Sequence, residues 1–185
     1  EAIRQLRPVD PQESLGFALE AIRKTRRSLA PRIPLIGFCG APFTMASYLV
    51  EGKGSRNYIP TKTLMKNEPK VWGELMKRLT TVLIDYLNAQ IGAGADLVQI
   101  FDSWVGCLSR EDYASSVLPH TKRLISGVKK GVPVIHFGTG TATLLELQKK
   151  AGGDVIGVDW RVPMKDAARR LNSSLATSLR NTQKF

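Results

Sequence analysis

Cysteine and histidine are both scarce in this chain, with two of each among 185 residues. Cys39 and Cys107 cannot build a disulfide framework, and no C-x-x-C or paired His spacing points to zinc or redox chemistry. With only His120 and His136, and His120 set beside Pro119 in a helical stretch, no Ser/His/Asp or Cys/His triad can be assembled. Long apolar runs are missing as well. None reaches the roughly 18 residues that a membrane helix needs, and the amino end is polar with no signal-peptide core, so a cytoplasmic or organelle-stromal protein is expected. Acidic residues are few: 16 Asp and Glu stand against 27 Lys and Arg, a net charge of +11. Such an excess suits an acidic partner, be it nucleic acid, an anionic membrane surface or a polycarboxylate. The cations, however, fall in scattered pairs such as Arg23-Lys24, Lys129-Lys130 and Arg169-Arg170, which read as solvated helix faces and argue against a nucleic-acid or membrane partner.

What is present is a globular pattern, with 43% hydrophobic residues and no low-complexity stretch. After Asp10-Pro11, the residues Leu15, Ala18, Leu19, Ile22 and Leu29 recur at helical spacing up to Ala30-Pro31, predicting one amphipathic helix. Leu35 to Cys39 is a continuous apolar run bounded by Pro and Gly, which suits a strand buried on both faces. It turns through Gly40, Ala41 and Pro42 into a short helix carrying Tyr48. A polar, Gly-rich excursion from Glu51 to Pro60 reads as an active-site loop or a connection, and a short helical piece follows near Lys62 to Lys66. From Pro69 to Gly92, the positions Trp72, Leu75, Met76, Leu79, Leu83 and Leu87 form the apolar stripe of a long helix. Leu97 to Phe101 is a second strand. A helix capped by Ser109 follows it, with Pro119 kinking that helix or lying in a turn. Val134 to Phe137 is a third strand, succeeded by Gly138-Thr-Gly140 and a helix through Leu144, Leu145 and Leu147. Asp154 to Trp160 predicts a fourth strand, and a final helix begins at Pro163.

Alternating apolar strands and helices argue for an α/β protein of parallel βαβ units. The choice lies between an open doubly wound sheet and a (β/α)8 barrel, which takes about 250 residues and twice these four strands. Residues 1–171 read as a single partial domain. Residues 172–185 have neither strand run nor apolar stripe and read as an irregular tail, frayed or aberrant. The chain starts at Glu1 rather than Met, and a partial sequence is expected.

Every candidate strand ends in polar or small residues. Tyr48 offers a phenol able to bond a carboxylate, or simply packs a helix onto the sheet; Ser103 offers a small donor, or caps a turn. Asp102 and Asp159 could act as acid, base or loop cap, and His136 sits inside an apolar run, as a core histidine or a ligand. Gly138-Thr-Gly140 could cradle an anion through backbone N–H groups, but it is a weak motif without a Walker lysine.

The segments GFCGAPFTMASYLVEG (37–52), LVQIFDSW (97–104), PVIHFGTGT (133–141) and DVIGVDWRVP (154–163) resemble, in order, the central part of the uroporphyrinogen decarboxylase family. The resemblance runs from about Arg4 to Arg170. It implies a (β/α)8 TIM barrel of which this chain covers about half, a homodimer when full length, and no metal or organic cofactor. The implied activity is that of a carboxy-lyase: stepwise removal of the four acetate carboxyls of uroporphyrinogen III to give coproporphyrinogen III in heme biosynthesis. It further implies that Tyr48 and Ser103 contact substrate and that Phe101 lies in the cleft wall. The family's arginine-rich RQAGR-type loop, its pyrrole-binding aspartate and its late histidine have no match here. No catalytic residue is therefore assigned, and little activity is expected of this chain alone. Two other readings stay open. Corrinoid-dependent methyltransferases share the barrel but use a His-x-Cys zinc pair, where this chain has His136-Phe137-Gly138. A non-catalytic polyanion-binding domain would use the positive charge alone.

Overall fold

The computed structural model describes residues 2–7, 9–52 and 55–172. Four strands, β1 (Ile36–Gly40), β2 (Leu97–Asp102), β3 (Val134–Gly138) and β4 (Val155–Gly157), form one parallel sheet in the order β1-β2-β3-β4. This order decides between the two architectures. A doubly wound sheet reverses its strand order at a switch point, whereas a barrel sets each strand beside the last. Four parallel strands in unreversed order are half of a (β/α)8 barrel wall.

Nine α-helices are described: α1 (Pro11–Ser14), α2 (Gly16–Ser28), α3 (Pro42–Glu51), α4 (Ile59–Asn67), α5 (Pro69–Ala93), α6 (Arg110–Ser116), α7 (Leu118–Ser126), α8 (Leu145–Ala151) and α9 (Met164–Arg170). α5 runs as its stripe predicts, started by Pro69 and ended by Gly94 in the left-handed region at φ 116°. The single helix expected from Pro11 is divided at Leu15 (φ −125°, ψ 18°), so α1 and α2 are separate pieces. Ser109 caps α6, its hydroxyl accepting the Asp112 N–H at 3.0 Å. The break near Pro119 falls at Val117, and Pro119 lies in the first turn of α7, where its missing N–H costs nothing. β4 is shorter than predicted, because the chain leaves the ladder to wrap the Asp159 carboxylate. Of the tail expected from residue 172, residues 173–185 lie outside the described residues.

Consecutive crossovers in one sense place their helices on one side of the sheet. Cys39, Val98, Ile100 and Val134 point to that side and pack with Leu83, Leu87 and Leu124. The other face is not covered. Phe38 is 61% exposed, and the expectation of strands buried on both faces fails for β1 because half a barrel encloses no interior. Across this open face the rings of Phe38, Phe101 and Phe137 form an edge-to-face row with successive centroids 5.8 Å apart.

The outer edge of β1 is capped from the helix layer. The buried Gln90 amide of α5 accepts the Phe38 N–H (2.9 Å) and donates to the Phe38 carbonyl (2.8 Å), two groups that β2 does not engage. Gly37 makes this approach feasible, since a Cβ there would lie 2.9 Å from Gln90 Oε1. Replacing Gln90 by Leu strips both backbone groups of their partner and is expected to cost about 1–3 kcal/mol of stability, measured by urea unfolding. A variant as stable as the parent would show that the cap contributes nothing.

Candidate active site

The carboxyl ends of β1 and β2 and the segments that follow them gather a set of aromatic and hydroxyl side chains. α3 opens directly after β1 and brings Tyr48, 49% exposed, to the rim. Trp104, just beyond β2, lies between Tyr48 and Tyr58, with ring centroids 4.0 Å and 5.1 Å away. Tyr58 holds a left-handed backbone (φ 52°, ψ 42°), uncommon for a bulky residue, at the start of α4. It is fixed there by its N–H donating to Ser55 Oγ (3.1 Å), while the Thr61 N–H and hydroxyl both donate to Glu51. The excursion read as a loop thus ends in a tethered helix that begins at Ile59.

Ser103 lines a shallow cavity of about 310 Å³ together with Tyr58, Trp104, Cys107, Gly140 and Arg161. The turn after β2 presses against the loop after β3: a Cβ on Gly106 would meet the Thr139 carbonyl at 2.5 Å, so only glycine permits this contact. Phe101 lies lower, in the aromatic row of the open face. Ser103 and Phe101 therefore border the open side of β2, and Tyr48 is joined to them through Trp104.

Asp102 and His136 are not part of this edge. Strand alternation turns both toward the helices, where each is fully buried. His136 Nε2 stands 3.7 Å from Asp102 Oδ2, too long for a hydrogen bond but close enough for charge attraction. Burial pushes the Asp102 carboxyl above the usual carboxylate range, against the opposing pull of His136 and then Thr44. Burial likewise raises the Tyr113 phenol, with the Asp102 charge adding to the rise, and pushes the Cys39 thiol up to about 12.

Asp159, 4% exposed, is a loop clamp rather than a ligand-facing acid. Its carboxylate accepts the Gly140 N–H (2.7 Å), the Arg161 N–H (3.0 Å) and Arg161 Nη1 (2.6 Å). One amide of the Gly138-Thr-Gly140 turn, read as an anion cradle, is thereby taken by an internal carboxylate. Tyr58, Trp104 and Arg161 are the members of this edge that reading single residues missed. Trp104 and Arg161 lie inside segments already conspicuous in the sequence, whereas nothing local marks Tyr58. Among the described residues no group of three or more His, Cys, Asp or Glu could hold a metal, and no helix is long and apolar enough to cross a membrane.

An unreversed parallel sheet with polar side chains collected at its strand ends defines a protein of the (β/α)-barrel class, a class whose sites lie at that edge. The chain belongs to the uroporphyrinogen decarboxylase (URO-D) family, whose model matches residues 1–178. It is 52% identical over 166 residues to uroporphyrinogen decarboxylase of Carboxydothermus hydrogenoformans, covering 89% of this chain and 47% of the relative. To that of Sorangium cellulosum it is 52% identical over 170 residues, covering 91% and 49%, and to that of Thermus thermophilus 51% over 175 residues, covering 94% and 51%. The chain spans about half the length of these curated relatives. A methyltransferase from Methanosarcina mazei shares the fold, with a TM-score of 0.77 at 21% identity over 92% of this chain and 50% of that one.

The Asp102 shift has a definite sign. A carboxyl whose folded pKa lies above its unfolded value gives stability that is fully present below about pH 4 and is lost as pH rises through the folded value. Asp102→Asn, uncharged at any pH, is expected to be more stable than the parent at pH 7 and to approach it at pH 4. Urea midpoints at the two pH values measure the gap, and a gap that fails to widen with pH contradicts the assignment.

Proposed function

We propose that this chain is one half of a uroporphyrinogen decarboxylase barrel that engages the octacarboxylate uroporphyrinogen III at the edge formed by Tyr48, Phe101 and Ser103. The observation that carries this reading is the joining of Tyr48, through Trp104, to Ser103 above the aromatic row of the open face. The phenol and the hydroxyl can each donate a hydrogen bond to a substrate carboxylate. The Phe38, Phe101 and Phe137 rings offer an apolar wall to a flat macrocycle.

The reaction loses an acetate carboxyl as CO2 once the pyrrole is protonated to accept the electron pair, and a proton then returns to the side-chain carbon. That step needs a fixed counter-charge near the macrocycle and cations on its carboxylates. Asp102 cannot supply the former, because it is buried on the helix side of the sheet. Positioning is accordingly the part these residues play, and the isolated chain is expected to decarboxylate little. A cytoplasmic setting, a single partial barrel domain over residues 1–171 and a homodimer of the whole protein belong to the same proposal.

The methyltransferase reading is not favoured, since His136 faces the helix layer and β3 has Gly138 where a cysteine would be needed. The net charge of +11 supports polyanion binding as the second reading. Fluorescence titration with uroporphyrin and with duplex DNA, at low and high salt, separates them. The expected outcome is a preference for the porphyrin that persists at high salt, with Tyr48→Phe and Ser103→Ala each weakening it about tenfold. Equal binding of DNA with a steep salt dependence would favour the polyanion binder instead.

A further inference from the structure

We infer that Arg161 is a substrate-carboxylate receptor: the buried Asp159 clamp holds its guanidinium beside Ser103 so that it grips one acidic arm of the tetrapyrrole. Among the described residues that line the cavity at the strand ends, Arg161 alone carries a charge; its neighbours are aromatic, hydroxyl, thiol or glycine. Within this lining Arg161 is the cation an anionic substrate meets, with Lys62 acting on Cys107 from outside it. The inference rests on the proposed function and names a residue that the family resemblance did not assign.

Three features make Arg161 a prepared receptor rather than a solvated surface arginine. Asp159 holds it twice, once through the backbone N–H and once through Nη1, and the same carboxylate fixes Gly140 of the neighbouring loop. The guanidinium carbon lies 4.7 Å from the centroid of the Trp160 ring, a cation–π contact that limits its swing. The side chain is nevertheless 49% exposed, and Asp159 is the single acceptor it reaches among the described residues. A guanidinium has five N–H donors in a fixed fork. With one engaged by Asp159, others are left for a ligand carboxylate, which arginine binds in a geometry that lysine cannot copy.

The Asp159 pairing also sets the character of the binding. The pair is close to neutral overall, so attraction comes from short directional hydrogen bonds rather than from long-range charge. Selectivity for carboxylate arms and modest sensitivity to salt are the consequence.

The test measures binding of porphyrins with eight and with two carboxylates to the 185-residue chain and to Arg161→Gln and Arg161→Lys, with a urea midpoint for each protein. Glutamine keeps a donor for Asp159 and loses the charge; lysine keeps the charge and loses the fork. About tenfold weaker binding of the octacarboxylate by Arg161→Gln is expected, with less than a twofold change for the dicarboxylate. Arg161→Lys is expected to lose at least threefold on the octacarboxylate while unfolding at an unchanged urea midpoint, which a purely structural role would not produce. If the unaltered chain prefers eight carboxylates and both variants keep that preference, the Arg161 assignment is overturned and the functional reading survives. If the unaltered chain shows no preference, both fall together. Should the glutamine variant not fold, the lysine variant decides: a threefold loss supports the assignment and undiminished binding overturns it.

Discussion

Side chains along a strand alternate between two faces, and here those faces have opposite fates. The helices lie on one side of β1 to β4, so one face of each strand is dry and the other looks into what a complete barrel would enclose. This constraint sorts the chemistry. Phe38, Phe101 and Phe137 fall on the open face, while Asp102 and His136, one residue away from Phe101 and Phe137, fall among the helices. A shift of one residue in register would exchange the two sets and bury the aromatic wall. The parallel pairing of Phe101 with Phe137 is thus what keeps the open aromatic surface apart from a buried polar layer.

That buried layer carries a cost. A carboxyl, an imidazole and the Tyr113 phenol lie at or near zero exposure beneath the strand ends. Burial alone disfavours the charged carboxylate, and a partner 3.7 Å away offsets only part of this. None of the three side chains makes a hydrogen bond within the normal range among the described residues, so they carry the cost of burial with little to offset it. Asp102, the last residue of β2, immediately precedes Ser103, so the change from buried polar layer to open rim falls between two consecutive residues.

Much of the framework was legible in the sequence. Pro69, the apolar stripe and Gly94 delimit α5, and continuous apolar runs mark the strands, because both signals are local. Strand order was not legible in the periodicity, since alternating strands and helices suit a wound sheet and a barrel alike; the family resemblance of four segments points to the barrel, and the pairing agrees with it. The division at Leu15 leaves no trace in helical periodicity, which passes smoothly through it. At the site, Ser103 stands out by its place just past β2, whereas Tyr48, inside α3, is singled out by the family resemblance. The stacking of Trp104 between two tyrosines and the bond from Gly140 to Asp159 join residues far apart in the chain, and no spacing rule anticipates them, whereas the Asp159 bonds to Arg161 are the local loop cap that the sequence allows. Strand parity placed Asp102 one residue from the open face, yet in a run apolar on both sides parity gives no hint of which face is which.

The stack at the rim has an optical consequence. Of the three tryptophans, Trp72 is sealed in the core with its indole N–H bonded to the Ser116 carbonyl, and Trp160 is largely exposed. Trp104 sits between Tyr48 and Tyr58 at 4.0 Å and 5.1 Å, distances at which light absorbed by either phenol passes efficiently to the indole. Its emission therefore reports on this rim, and an oxidised, conjugated porphyrin resting there would absorb what it emits. Trp72, sealed in the core, takes no part in this stack, so contact at the rim alters the surroundings of Trp104 and leaves those of Trp72 unchanged.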